Sequence, residues 1–260
     1  MSPHESAASR TATAPAVLSV PLQEAVHSAS ADVLKAAAVD SSLTEDLALA
    51  LLKRSDLPSE VLEQLSKNSV VMKGRKVKLA MVGHPRTPRY VSMSLVRQLF
   101  TFDLMQVALT PAVPGDIKVA AEDALIHRLE TMSSGERLSL ARRASGRVAG
   151  ALLQDLEQRV IHTALENARL TESSIIRALM SQKAQAVFVQ AVCHHPKWSP
   201  RREIRIALLR NESTPLGSAM VFARALPAAL VREILQNSRL PSIVKTCLME
   251  KLEQASRENS

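Results

Sequence analysis

A short corner sequence recurs along this chain of 260 residues. Four stretches share the frame Asn/His, two variable residues, Leu/Thr, then Pro/Thr: His84-Pro85-Arg86-Thr87-Pro88, Asn167-Ala168-Arg169-Leu170-Thr171, Asn211-Glu212-Ser213-Thr214-Pro215 and Asn237-Ser238-Arg239-Leu240-Pro241. Degenerate copies stand at Asp56-Leu57-Pro58, over 111–114 and over 195–200. Each residue type suits a corner between helices. Asn closes a helix by entering the left-handed region just past its end, Thr or Ser accepts a backbone N–H as an N-cap, and Pro fits the first helical turn, where its missing N–H has no partner to lose. The frame predicts stop, turn and restart within about five residues.

Helix starts at positions 58, 88, 114, 171, 200, 215 and 241 leave intervals of 30, 26, 57, 29, 15 and 26 residues. Most lie near 26–30 or its double, and a period of that size signals stacked supersecondary units. The longest interval hides a further unit, with its natural cut at Ala144-Ser145-Gly146-Arg147-Val148, and the shortest predicts a lone or irregular helix over 200–210. Between corners the apolar residues fall three and four apart, as in Val91, Leu95, Val96, Leu99 and in Ile204, Ala207, Leu208. A second apolar run follows in each unit, at Asp103–Leu109, Glu136–Ala141, Leu156–Leu165 and Val187–Val192. Each unit is thus predicted to be a helical hairpin, and because one hairpin cannot bury both apolar faces, neighbours must stack. The expected fold is all-α: a right-handed α-solenoid of two-helix repeats with no β-sheet. A single domain over 22–255 is expected, with N-terminal cap helices in 22–54, repeats over 58–240, a C-terminal cap helix over 241–255, and disordered tails at 1–21 and 256–260.

Composition narrows the alternatives. Aromatics make up 2% of the chain and glycines number seven, which argues against sandwiches, barrels and dinucleotide-binding sheets, while 46% hydrophobic residues are ample for a core. No run of about 18 apolar residues occurs, so no spanning helix is expected. Cys193 and Cys247 are the two cysteines and make no disulfide framework, which favours a cytoplasmic protein.

The corners Gly83-His84-Pro85-Arg86-Thr87-Pro88, Arg210-Asn211-Glu212-Ser213-Thr214-Pro215 and Gln236-Asn237-Ser238-Arg239-Leu240-Pro241 resemble those of the HEAT-like bacterial α-solenoids and the leucine-rich repeat variant group. The resemblance covers about residues 45–255. It implies a curved solenoid that binds other macromolecules. The iron–sulfur cluster of some leucine-rich repeat variants uses an N-terminal cysteine motif; no cysteine precedes Cys193 here, and that function does not carry over.

Motifs for chemistry are scarce. Cys193-His194-His195 lacks the second short-spaced pair that a structural zinc needs, and His195 already fills a corner position. Gly146 and Gly150 lack the following Lys-Ser/Thr of a phosphate loop, and no Gly-x-Ser-x-Gly occurs. Glu45-Asp46 and Glu122-Asp123 are sequence neighbours, about 100° apart on a helix, and read as solvated or first-turn residues. No enzyme activity, cofactor or metal is expected. The net charge of +8 gathers in three groups: Lys73, Arg75, Lys76, Lys78; Arg137, Arg142, Arg143, Arg147; and Arg201, Arg202, Arg205, Arg210. Stacked repeats would align such groups into a stripe along phosphates, or they are solvated helix formers, some of which, such as Arg205 beside Glu203, bridge neighbouring repeats. Trp198 reads as a corner plug, with a contact role at a partner interface as the alternative. The leading expectation is a non-catalytic interaction module for a protein partner. A nucleic-acid-binding solenoid comes second, and a HEAT-like DNA glycosylase a distant third, since the sparse aromatics offer no platform for a flipped base.

Overall fold

The computed structural model describes residues 20–258, and among them all regular structure is helical, with no strand. In chain order the α-helices are α1 (Leu22–Ala25), α2 (Ala31–Val39), α3 (Glu45–Leu52), α4 (Ser59–Lys67), α5 (Arg75–Gly83), α6 (Arg89–Val96), α7 (Thr101–Leu109), α8 (Gly115–Arg128) and α9 (Ser134–Arg143). There follow α10 (Gly146–Leu152), α11 (Gln158–Leu165), α12 (Glu172–Met180), α13 (Ala186–His194), α14 (Arg202–Leu209), α15 (Leu216–Arg224), α16 (Ala228–Gln236) and α17 (Ser242–Glu258). The tail expected over 1–21 falls mostly outside the described residues, but α17 runs to Glu258 and overrides the tail expected from 256. The N-terminal stretch 22–54 holds three helices, α1 to α3.

Most of these helices have seven to ten residues, too few to persist alone, so each depends on burying its apolar face. α4 buries Val61, Leu62 and Leu65; α11 buries Val160, Ile161, Ala164 and Leu165; α14 buries Ile204, Ala207, Leu208 and Leu209. The packing falls into two compact units, one made of the residues up to Asp103 with 110–117, the other of 104–109 with the residues from Lys118 on. Within the first, α2 packs on α4 and α3 on α5. Within the second, α9, α11 and α13 form one row and α10, α12, α14 and α16 another, and contacts of α10 with both α9 and α11 join the rows. In these rows each helix thus packs on its next-but-one neighbour. α14, expected to be lone or irregular, is an ordinary member of its row.

Polar side chains at the helix ends fix this spacing. Asn167 turns its amide Nδ2 back to the carbonyls of Ala141 (2.8 Å) and Ala144 (3.2 Å) at the end of α9, while its Oδ1 accepts the backbone N–H of Arg169 (2.7 Å). Asn211 donates to Leu179 O (2.7 Å) at the end of α12 and accepts from Ser213 N (2.9 Å). Asn68 donates to Ala38 O and Asp40 O and accepts from Val70 N. His84 does the same with its ring: Nδ1 accepts from Arg86 N, so Nε2 carries the proton that it donates to Arg54 O at 2.8 Å. Arg86 adds a bond from Nη1 to Asp56 O. All four corner side chains are buried, so the bonds replace water that the helix-end carbonyls would otherwise need.

This chemistry corrects the expected one in three respects. Among the described residues no backbone φ is positive, so Asn does not end helices in the left-handed region; its side chain makes the turn instead, and the backbone stays extended, as at His84 (φ −77°, ψ 129°). Thr87 and Thr214 do not cap the following helix: their hydroxyls donate backwards to Met81 O and Leu208 O, both at 2.6 Å. Pro58, Pro88 and Pro215 occupy the N-cap, one residue ahead of the first turn. Thr171 and Ser145 do cap as expected, accepting from Ser174 N and Val148 N. Asn237 is exposed; Ser238 takes the buried place, and the backbone N–H of Arg239 reaches Arg210 O at 3.1 Å.

Two substitutions test this account. Asn167→Ala strands two carbonyls and one N–H, and is expected to lower unfolding stability by about 1–3 kcal/mol in urea denaturation. A Cβ on Gly146 would lie 2.2 Å from Arg169 O, so Gly146→Ala is expected to destabilise by about 1–3 kcal/mol even though alanine is the better helix former. Gly217, with nothing within 4 Å of its Cβ position, is the control, and Gly217→Ala should stabilise by about 0.5–1 kcal/mol.

Candidate functional site

The basic groups separate into clasps and open charges. Arg75, at the start of α5, forks onto Asp103 through Nε (2.7 Å) and Nη2 (2.9 Å) and stacks 5.2 Å over Phe100. Arg147 meets Asp123 at 2.6 Å and Glu122 at 3.6 Å, so the acidic pair expected to be solvated flanks a guanidinium from the helix pair that follows. Arg137 pairs with Glu157, donates to Met132 O (2.8 Å), and sets Nε 2.8 Å from Asp155 Oδ2 at an angle too poor for a hydrogen bond. Arg201 pairs with Glu172 at 2.7 Å. Arg205 does not pair with Glu203: its Nε donates to Ser199 O, and its guanidinium lies 6.0 Å over Phe222. Three of these pairs join residues 24 to 29 positions apart within one unit. Lys73, Lys76, Lys78, Arg142, Arg143, Arg202 and Arg210 have no ion-pair partner among the described residues.

The lysine group belongs to the first unit and the two arginine groups to the second. In the second unit the corners leading into α10, α12 and α14 are bonded to one another: Asn167 to Ala141 and Ala144, Trp198 Nε1 to Leu165 O (2.9 Å), and Arg201 to Glu172. They bring Arg142 and Arg143, then Arg169, then Lys197 and Arg202 onto one rim, whereas Arg210 lies at the opposite end of α14. Arg169 and Lys197 each follow a corner Asn or His by two residues, a regularity that the grouping by charge runs overlooks.

Trp198 is 2% exposed, with Lys197 and Arg201 stacked over its ring at 4.3 and 4.9 Å, and it fills the corner as a plug. Burial pushes the Cys193 thiol up to about 11, so it stays protonated at neutral pH and is a poor nucleophile or ligand. No group of three or more metal-ligating side chains occurs among the described residues. His195 is buried, its Nδ1 accepts from Lys197 N, and its Nε2 lies 3.1 Å from Glu166 Oε1, off the line of a good hydrogen bond.

Aromatic groups missing from the charge-based reading stand open in the first unit. Phe100 is 63% exposed and Phe102 40%, at the start of α7 beside the Arg75–Asp103 fork. Leu156, expected to join the apolar run of α11, lies ahead of that helix and is exposed. No helix among the described residues is long and apolar enough to cross a membrane. No family model matches the chain, and neither does a curated protein or a solved structure.

Burial holds the His195 imidazole below its ordinary value of 6.5, outweighing the attraction of Glu166. The unfolded chain therefore binds the extra proton first, and stability is expected to fall as pH drops through and below 6.5. His195→Asn, which installs the residue used at Asn167 and Asn211, should flatten this dependence in urea midpoints measured between about pH 7.5 and 5.

Proposed function

We propose that this chain is a non-catalytic helical-repeat module that presents an exposed surface to a protein partner. The next-but-one packing within each unit accords with our reading of right-handed α-solenoid, HEAT-like repeats, and two free cysteines accord with a protein acting in the cytoplasm. The observation that carries the partner reading is the placement of Phe100 and Phe102. A chain with only four phenylalanines leaves two of them open to solvent, next to an arginine already anchored by a carboxylate. Phe and Arg are interface-enriched, and an anchored guanidinium loses little further freedom when a partner covers it.

A second reading follows from the rim of the second unit, where Arg142, Arg143 and Arg202 are exposed and unpaired at bonded corners. Such a row would follow a nucleic-acid backbone, and its affinity would fall steeply with salt.

Chemical cross-linking of the tagged chain in its host cells is expected to capture a defined protein through the face bearing Phe100 and Phe102. The double variant Phe100→Ser, Phe102→Ser should lose that capture roughly tenfold or more while keeping its helical circular dichroism and melting temperature. Equal capture by the variant would overturn the reading, and nucleic acid cross-linked to the rim would put the second one in its place.

A further inference from the structure

The second unit holds a groove that the partner surface does not use. α10 and α12 lie close enough that a Cβ on Gly150 would stand 3.3 Å from Ser174 Cβ, and the start of α10 rests on the carbonyl of Arg169. Between them runs a groove of about 600 Å³ lined by Arg147, Arg169, Arg177, Thr171, Ser174 and Gln154, together with small residues and no carboxylate. That volume lies in the range of small-ligand sites. The three guanidiniums differ in what offsets them. Arg147 is held by Asp123 and Glu122. Arg169 spends one long bond, 3.4 Å, on Arg143 O, and no carboxylate pairs with it. Arg177 is exposed and has no ion pair among the described residues. The Oε1 of Gln154 is buried without a hydrogen-bond partner, and its Nε2 is fixed on Ala178 O at 3.1 Å.

We infer that this groove binds a phosphomonoester. Two uncompensated guanidiniums match the charge of a terminal phosphoryl group, about −1.5 to −2 at neutral pH, and their planar forks suit its oxygens. A phosphodiester carries a single charge per phosphate and leaves one guanidinium unbalanced. The hydroxyls of Thr171 and Ser174 are bonded to each other at 2.8 Å and leave one donor for the ligand. The site places no aromatic ring in the groove, so the group beyond the phosphoryl is polar rather than a nucleobase.

Free small molecules and phosphorylated side chains share this chemistry. The test is calorimetric titration of the full chain, at fixed ionic strength, with glycerol 3-phosphate, with a phosphoserine peptide and its unphosphorylated form, and with dimethyl phosphate. Binding of either monoester, with dimethyl phosphate weaker by roughly tenfold or more, supports the inference, and the tighter of the two identifies the source. Affinity should decline below about pH 6, where the phosphoryl takes up its second proton. Arg177→Gln, at an exposed position, should weaken binding roughly tenfold or more, while Arg210→Gln, outside the groove, leaves it unchanged. Equal loss in both variants would show general charge attraction and overturn the site, as would equal binding of dimethyl phosphate, tighter binding of an oligonucleotide, or no binding of any monoester.

Discussion

The architecture rests on buried corner amides and imidazoles that close two gaps at once. A helix end leaves carbonyls without partners, and a tight turn needs an acceptor for the N–H two residues on. Asn has an acceptor and a donor on one short side chain, and the neutral imidazole of His offers the same pair across its ring. Asn167 and His84 each spend the acceptor on their own turn and the donor on a helix end that lies 23 to 30 residues earlier. Short helices that would not survive alone are thereby set in register with their next-but-one neighbours, and the apolar faces of α11 or α14 meet the faces they were patterned for. Serine is too short for this reach, which is why at the last corner the backbone N–H of Arg239 spans to Arg210 O while Ser238 bonds only locally.

Charge does related work at a larger radius. Arg75, Arg147 and Arg201 each find a carboxylate 24 to 29 residues away within the same unit. Their exposure differs, and so does what they contribute. Arg137, with a mostly buried side chain, supports the corner at Met132, whereas the pair Arg147–Asp123 is half-exposed and contributes little to stability. The net charge of +8 is therefore not spread over the three basic groups as counted along the chain. It remains on residues outside the clasps, and in the second unit those include Arg142, Arg143, Arg169 and Arg177.

What could be read in the chain follows from how local each signal is. Helices after Pro58, Pro88, Thr171, Pro215 and Pro241 were legible because proline and the capping residues act on their own backbone. The partners of the corner amides were not, since a carbonyl at Ala141 or Leu179 has no side-chain signature. Asn68 escaped the frame because Val71 and Met72 stand in place of Leu/Thr and Pro/Thr, yet it makes the full set of bonds. The odd interval before Pro215 has a related cause. The frame marks the ends of helices in both rows, so His195 closes α13 and Asn211 closes the very next helix, α14. Corners in the same row stand 26 to 28 residues apart, Asn167 and His195 by 28 and Asn211 and Asn237 by 26.

Where such a fold can host function is set by the same bonds. A corner side chain spent on the chain has nothing left for a ligand, as with Trp198, whose Nε1 is bonded to Leu165 O and whose ring lies under Lys197 and Arg201. Open valence survives in two kinds of place. One is a side chain that overshoots its structural contact, as Phe100 does beyond the Arg75–Asp103 fork. The other is the gap between two helices of one row that glycine lets approach unevenly: Gly146 seats the start of α10 on the Arg169 carbonyl, while Arg177 lines the same groove with a guanidinium that no ion pair among the described residues engages. Polar groups unspent by the corners, rather than residue types prominent in the sequence, are what distinguish a site from scaffold in this chain.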